Sequence, residues 1–291
     1  MRKALPGTPW TRARELCSSG RVLVDGEVEL DSARRLHAGS TVEVEPRGPR
    51  RRAGTLPPDA IVHSDAEVVV VRKPAGCMTV PFEPGEKDTL VDLTRAALRR
   101  GGGRYDPQLG VVQRLDKDTT GLLVFTRTLA AKRELDRQFR RHSVERRYLA
   151  IAHGEVREAT MDTLLVRDRG DGLRGSWGVF RPARGRPPAD ARRAITHVSP
   201  IERLRGATLV SCRLETGRQH QIRIHLSESG HPLVGERVYV RAFEGPRIEA
   251  PRPMLHAEVL GFVHPRTGKA MRFQEPPPDD FREVLERLRR R

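Results

Sequence analysis

Residues 111–125 read VVQRLDKDTTGLLVF, a run of charge and hydroxyl set between two apolar stretches. Val111 and Val112 enter it, and Leu122, Leu123, Val124 and Phe125 leave it, in the pattern of two core strands. Between them Arg114, Asp116, Lys117, Asp118, Thr119, Thr120 and Gly121 form a polar connection presented at the ends of both strands. An aspartate in such a place ordinarily serves an Asx-turn or a cap. The rest of the chain decides whether Asp116 does more.

Working outward, AEVVVVRKPAG (66–76) reads as a strand ending in a turn, and TLVDLTRAALRR (89–100) as a helix. RRGGGRYDPQLG (99–110) is a flexible loop; its GGG lacks the Lys-Ser/Thr of a phosphate loop. LAAKRELDRQFRRH (129–142) is a basic amphipathic helix and ERRYLAIAHGEV (145–156) returns to strand. The Gly-, Pro- and Arg-rich stretch 168–194 reads as a mobile excursion. ATLVSCRLETGRQHQIRIHLSESG (207–230) predicts two strands and a helix, and FREVLERLRRR (281–291) a terminal helix. Strands and helices do not alternate, so the fold class is α+β, on a mixed, mainly antiparallel sheet.

Residues 1–46 form a separate small unit. TRARELCSS predicts a short helix with Thr11 as N-cap and Gly20 ending it. RVLV, the turn Asp25-Gly26 and EVEL predict a hairpin, and HAGSTVEVE a further turn and strand. The order resembles the small α-L RNA-binding module, shortened at its first helix. The unit carries seven basic and seven acidic residues, so a binding face rests on a local cluster, Arg12, Arg14 and Arg21. Residues 47–60 form a Pro-rich linker with four arginines between positions 47 and 52, and 61–291 form the large domain.

The formal charge of +16 favours a polyanionic partner, because each neutralised phosphate releases condensed counterions. Aromatic residues make up only 4%, which argues against binding by base stacking on aromatic platforms. The chain has no apolar run of about 18 residues that would span a membrane. MRKALPGTPW lacks the apolar stretch of a signal peptide. Cys17, Cys77 and Cys212 are scattered and odd in number, which fits a reducing, cytoplasmic setting.

Four segments, KPAG (73–76), QRLDKDTTG (113–121), RRYLA (146–150) and GRQHQIRIH (217–225), occur in an order that resembles the RluA-type pseudouridine synthases. The resemblance covers about residues 61–282. It implies isomerisation of uridine in structured RNA with no cofactor and no metal, by a monomer. The uracil–ribose C–N bond breaks, the base turns, and a C–C bond forms to the same anomeric carbon. Such chemistry needs an ionised carboxylate at the sugar, a group that manages a proton beside the base, and a cation facing the carboxylate.

The resemblance implies Asp116 as the catalytic carboxylate, acting either as nucleophile at the anomeric carbon or as base at its neighbour. It implies Arg223 as the facing cation, which favours the charged carboxylate where water is excluded. Tyr148 is implied as a catalytic residue beside the uracil, its ring packed on the base and its hydroxyl helping to remove the proton from C5 after the base rejoins. Arg114 is implied in displacing the target nucleotide from its stack, a step that costs a few kcal/mol. Thr119, Arg218, His220 and Gln221 complete the substrate-binding set. Gln113 departs from the histidine usual in the family; it keeps a donor and an acceptor but cannot titrate, which predicts altered substrate contacts rather than lost activity. His220, His225 and His231 lack a carboxylate or Cys partner at ligand spacing, so a metal site is not expected. Large-subunit ribosomal RNA is the expected substrate. The alternatives are a transfer-RNA synthase, a non-catalytic RNA-binding or assembly factor on the same fold, and a hydrolytic nucleosidase.

Overall fold

The computed structural model describes residues 9–18, 21–25, 27–29, 39–45, 56–82, 88–100, 109–182 and 185–290. Among the described residues the first unit has one helix, α1 (Trp10–Ser18), and strands β1 (Val22–Val24), β2 (Glu27–Val28) and β3 (Val42–Val44) in the order β2-β1-β3. Leu16, Cys17 and Val22 are buried together at its centre. The helix starts at Trp10, so Thr11 lies inside it rather than capping it; the Ala13 amide donates to the Pro9 carbonyl. Gly20 and Gly26 lie outside the described residues, as does most of 47–60. Leu56 and Ala60 are exceptions to the linker expectation, because they are buried in the core of the large domain.

The large domain follows as β4 (Ile61–Ser64), β5 (Val68–Lys73), α2 (Leu90–Arg100), β6 (Gly110–Val111), β7 (Thr120–Thr126), α3 (Leu129–Arg140), β8 (Glu145–His153), β9 (Ala159–Val166) and β10 (Gly175–Ser176). It is completed by β11 (Arg192–Leu204), β12 (Ala207–Leu214), α4 (Gln221–Glu228), β13 (Leu255–Val263), β14 (Ala270–Gln274) and α5 (Asp279–Arg289). Eleven strands form one sheet in the order β10-β9-β11-β12-β8-β13-β7-β5-β4, with β6 added to β7 and β14 to β13. Every pairing is antiparallel except β13 with β7, so the α+β class and mixed sheet are as expected.

The four valines of β5 are all fully buried because both faces of the sheet are covered. Val69 and Val71 join one cluster with Leu90, Leu123, Phe125, Ala150 and Ile222. Val68 and Val70 join another with Leu122, Val124, Leu135 and Leu260, under α3. A continuous apolar run is what a strand buried on both faces needs, and each such side chain contributes about 1.5–3 kcal/mol. Beside this, α5 packs Phe281, Val284, Leu285 and Leu288 against Ile151 and Leu209.

Two local expectations differ. Residues 207–230 contain one strand rather than two, since the chain after Leu214 turns directly toward α4. Within the excursion, residues 168–182 are tied down: Gly175 and Ser176 pair with Val166 and Leu165, and the buried Arg169 side chain lies between Asp171 and Glu228. Among the described residues no helix is long and apolar enough to cross a membrane.

Candidate active site

The QRLDKDTT segment crosses from β6 to β7 at the mouth of a cleft of about 840 Å³. Five consecutive carbonyls of this connection have donors. Leu115 accepts from Thr79 Oγ1 at 2.9 Å and Asp116 from the Thr119 amide at 3.1 Å. Lys117 and Thr119 both accept from Lys73 Nζ, at 2.6 and 2.9 Å, and Asp118 from Arg252 Nη1 at 3.1 Å. Lys73, the Lys of KPAG, is fully buried, and burial pushes its pKa down to about 8. Arg252 is itself fixed by a fork onto Asp280, at 2.6 and 2.9 Å. A polar loop at a sheet end is usually mobile; this one is pinned at every residue from 115 to 119.

The pinning presents the Asp116 side chain to the cleft, 23% exposed. Arg223, on the first turn of α4, places Nη1 3.9 Å from Asp116 Oδ2. His220 Nε2 lies 4.0 Å from Oδ1. Both distances are beyond hydrogen-bond reach, so the carboxylate faces the Arg223 cation and the His220 ring while its lone pairs stay open to a substrate. The Arg223 fork is taken by Glu236, whose two oxygens accept from Nε and Nη2 at 2.8 Å each. Burial alone would lower the Arg223 pKa; the Glu236 pairing and the Asp116 field outweigh it and raise it. Burial conversely pushes Glu236 up, and the Arg223 fork with the Val238 and Tyr239 amides reverses this to a net lowering.

His220 adopts φ 58°, ψ 17°, the left-handed region, at the N-cap of α4. A histidine tolerates this better than a branched residue, but it still carries strain. The turn sets its ring edge-on to Tyr239, with His220 Nδ1 and the Tyr239 hydroxyl sharing a 2.7 Å hydrogen bond. Tyr239 also lies 5.3 Å from the Arg223 guanidinium. Burial lowers the His220 pKa against the opposing field of Asp116.

Tyr148 lines the cleft from the centre of β8, and burial pushes its hydroxyl up to about 12. The phenol is therefore protonated at neutral pH, suited to stacking and donating rather than to removing a proton unaided. Arg114 is exposed at the rim with no protein partner among the described residues, and Thr119 is buried on the cleft wall. Arg218 is exposed too, its Nε donating to the Arg193 carbonyl at 3.0 Å. The Gln113 side chain reaches the cleft with its Nε2 buried and unpartnered.

Gln221 lines the cleft with its amide held by the protein. Its Oε1 accepts from Thr216 Oγ1 and the Arg218 amide, at 2.9 Å each, and its Nε2 donates to the Ile195 carbonyl and Thr196 Oγ1. All four positions of this buried amide are satisfied internally, and it shapes the 216–221 turn at the cleft wall. His225 is held between Thr196 and Thr163, and His231 bonds the His153 carbonyl. Among the described residues no three metal-ligating side chains converge.

Sequence reasoning missed Glu236, Tyr239 and Arg252. Each touches a residue of the motifs, but none carries a spacing signal of its own.

Comparison with known proteins agrees with this geometry. The profile of the RNA pseudouridylate synthase family matches residues 67–228. A Bacillus subtilis protein described as an uncharacterized RNA pseudouridine synthase is 36% identical over 288 residues, covering 96% of this chain and 89% of its own. The ribosomal large subunit pseudouridine synthase D of Pseudomonas aeruginosa is 36% identical over 284 residues, covering 93% and 84%. That of Zymomonas mobilis is 35% identical over 289 residues, covering 95% and 88%. Among solved structures, human RNA pseudouridylate synthase domain containing 4 shares the fold, with a TM-score of 0.63 at 22% identity over 79% of this chain and 93% of that one.

Proposed function

Because the chain belongs to the RNA pseudouridylate synthase family, and is a pseudouridine synthase, we propose that it isomerises uridine in large-subunit ribosomal RNA at the Asp116 cleft. The synthase D names of its relatives support the ribosomal substrate. The observation that carries the site is the pinned Asp116 loop facing an arginine whose fork is already held by Glu236. A carboxylate in that position acts on the ribose of an extruded uridine, with the Arg223 guanidinium 3.9 Å away across the cleft. The C1′–N1 bond breaks, the uracil turns, and C1′ bonds to C5; the C5 proton leaves and N1 ends protonated, so atoms and charge balance. Tyr148 packs on the base as a neutral phenol, and Arg114, free at the rim, helps hold the displaced strand. Thr119, His220 and Arg218 line the path to the carboxylate, and Gln113 offers its unpaired amide to the substrate. Residues 1–46 serve as an auxiliary RNA-binding unit, and the enzyme acts as a cytoplasmic monomer.

The test is chemical mapping of pseudouridine on total RNA, by carbodiimide adducts and primer extension, with and without the gene. A large-subunit site is expected to disappear, and to return with the wild-type gene but not with Asp116→Asn. A lost site in transfer RNA alone would refute the ribosomal assignment. Restoration by Asp116→Asn would refute the site.

A further inference from the structure

The pair Arg146-Arg147 sits on β8, where successive side chains take opposite faces. Arg147 points away from the cleft and meets Glu258 at 3.0 Å. Arg146 points inward on the same face as Tyr148 and is buried, with 7% exposure. No carboxylate pairs with it among the described residues. Its Nη2 donates to the Glu215 carbonyl at 2.6 Å and, at 3.4 Å, to that of Leu214. Its Nε is buried with no partner, and Nη1 has no protein acceptor among the described residues. The guanidinium lies 5.5 Å from the Phe139 ring centre on its other side.

The other shielded guanidiniums of this domain differ. Arg223 has Glu236, Arg252 has Asp280, and Arg169 has Asp171, each within 3.2 Å. A buried charge without a counter-ion costs several kcal/mol, and burial accordingly lowers the Arg146 pKa. The chain nevertheless makes room for it. A Cβ on Gly217 would stand 2.6 Å from Arg146 Nη1, so glycine is what admits the guanidinium to the cleft wall. Arg218 and Arg140 line the same cleft, so the missing counter-ion lies in a field that suits a polyanion.

We propose that Arg146 binds a backbone phosphate of the RNA strand beside the target uridine, entering through the space that Gly217 leaves open. Arg146 stands two residues, about 7 Å, along the strand from Tyr148, clear of the base that packs there. Nη1, which has no acceptor among the described residues, can donate to a phosphate oxygen in a charge-assisted hydrogen bond. The role rests on the reading of the cleft as the uridine site. It makes Arg146 a binding residue whose charge is compensated only in the complex.

Arg146→Met and Arg146→Lys are compared with wild type and Asp116→Asn on unmodified large-subunit rRNA transcribed with 5-tritiated uridine. Tritium release follows turnover, because the reaction removes the C5 hydrogen. Arg146→Met is expected to raise KM about tenfold or more, with a much smaller effect on kcat. Between about 50 and 200 mM salt, its binding slope should be shallower than wild type by about 0.7–0.9, the loss of one phosphate contact. Its melting temperature should equal or exceed wild type, since an uncompensated buried charge is gone. Arg146→Lys should recover the slope but only part of the affinity. Unchanged KM and slope would overturn the inference. So would a loss confined to kcat, which would put the cation on the departing base, or a lowered melting temperature, which would make Arg146 a brace for the 214–215 carbonyls. An active Asp116→Asn would instead overturn the reading of the cleft beneath it.

Discussion

Replacing Glu236 by glutamine keeps the shape of the side chain and removes its charge. In the wild type both oxygens accept from Arg223, and one of them also accepts from the Arg237 and Val238 amides at 3.0 and 2.9 Å. The amide can keep one of the two Arg223 bonds; its NH₂ meets the other guanidinium N–H as donor against donor. Breaking a buried ion pair costs about 3–5 kcal/mol, and the retained packing and single bond reduce this to about 3. For a unit of about 230 residues that is a fall of about 6 °C in Tm. The larger effect is on turnover. Arg223 then keeps one bond of its fork and is free to pivot about it toward Asp116, 3.9 Å away. A guanidinium displaced by about 1 Å lowers kcat about 10- to 100-fold with KM nearly constant. Tritium release under single-turnover conditions reads the rate, and denaturant unfolding reads the stability. Glu236 is held below its ordinary 4.5, so its contribution is complete above that value and is lost as pH falls through the folded pKa. The stability gap between wild type and Glu236→Gln should therefore narrow below about pH 4.5. Wild-type kcat in a protein that has lost the expected stability would refute the positioning role, leaving Glu236 as a fold residue only.

Two further outcomes test the frame around the site. Gly121→Ala should cost more than about 3 kcal/mol in denaturant unfolding, because Gly121 has φ +113° and an added Cβ would stand 2.2 Å from the Ala257 carbonyl oxygen. Lys73→Met should lower kcat at least tenfold, since the Pro74, Lys117 and Thr119 carbonyls lose their donor. Lys73 also has a pH signature: with a folded pKa of about 8 against 10.5, the unfolded chain holds a proton in that window which the folded chain has released. Wild-type stability relative to Lys73→Met should rise from pH 8 toward pH 10.

The scaffold was legible where local pattern and burial coincide. The valine run of β5 and the LLVF of β7 announce strands covered on both faces, and the hydroxyl-rich turn between two apolar runs marks the place where Asp116 emerges. The facing arginine was available only through likeness to a family, because Asp116 and Arg223 are brought together by the sheet and not by spacing. Glu236 and Tyr239 escaped for the same reason: they lie beyond the motif and reach it by packing. The internal bonds of Gln221 were not legible, because residue type does not reveal whether an amide is already satisfied inside the protein. Composition misled over 168–182, where Arg169 is held between Asp171 in its own loop and Glu228 at the end of α4, a placement that no window of glycine and arginine content reports. Thr11 misled because a threonine near a helix start reads as a cap one residue before the helix, whereas Trp10 already begins it.

The parallel contact of β7 with β13 has a consequence in time. His256 and Ala257 lie opposite Thr120 and Gly121, and Arg252 holds the Asp118 carbonyl. At about 5–20 residues per second, the ribosome makes Gly121 roughly 7–27 s before Ala257. Through that interval the nascent chain carries every residue of the Asp116 loop but lacks the strand that seats it. An interrupted chain therefore yields no partly competent enzyme, and RNA meets a working carboxylate only after synthesis has passed β13.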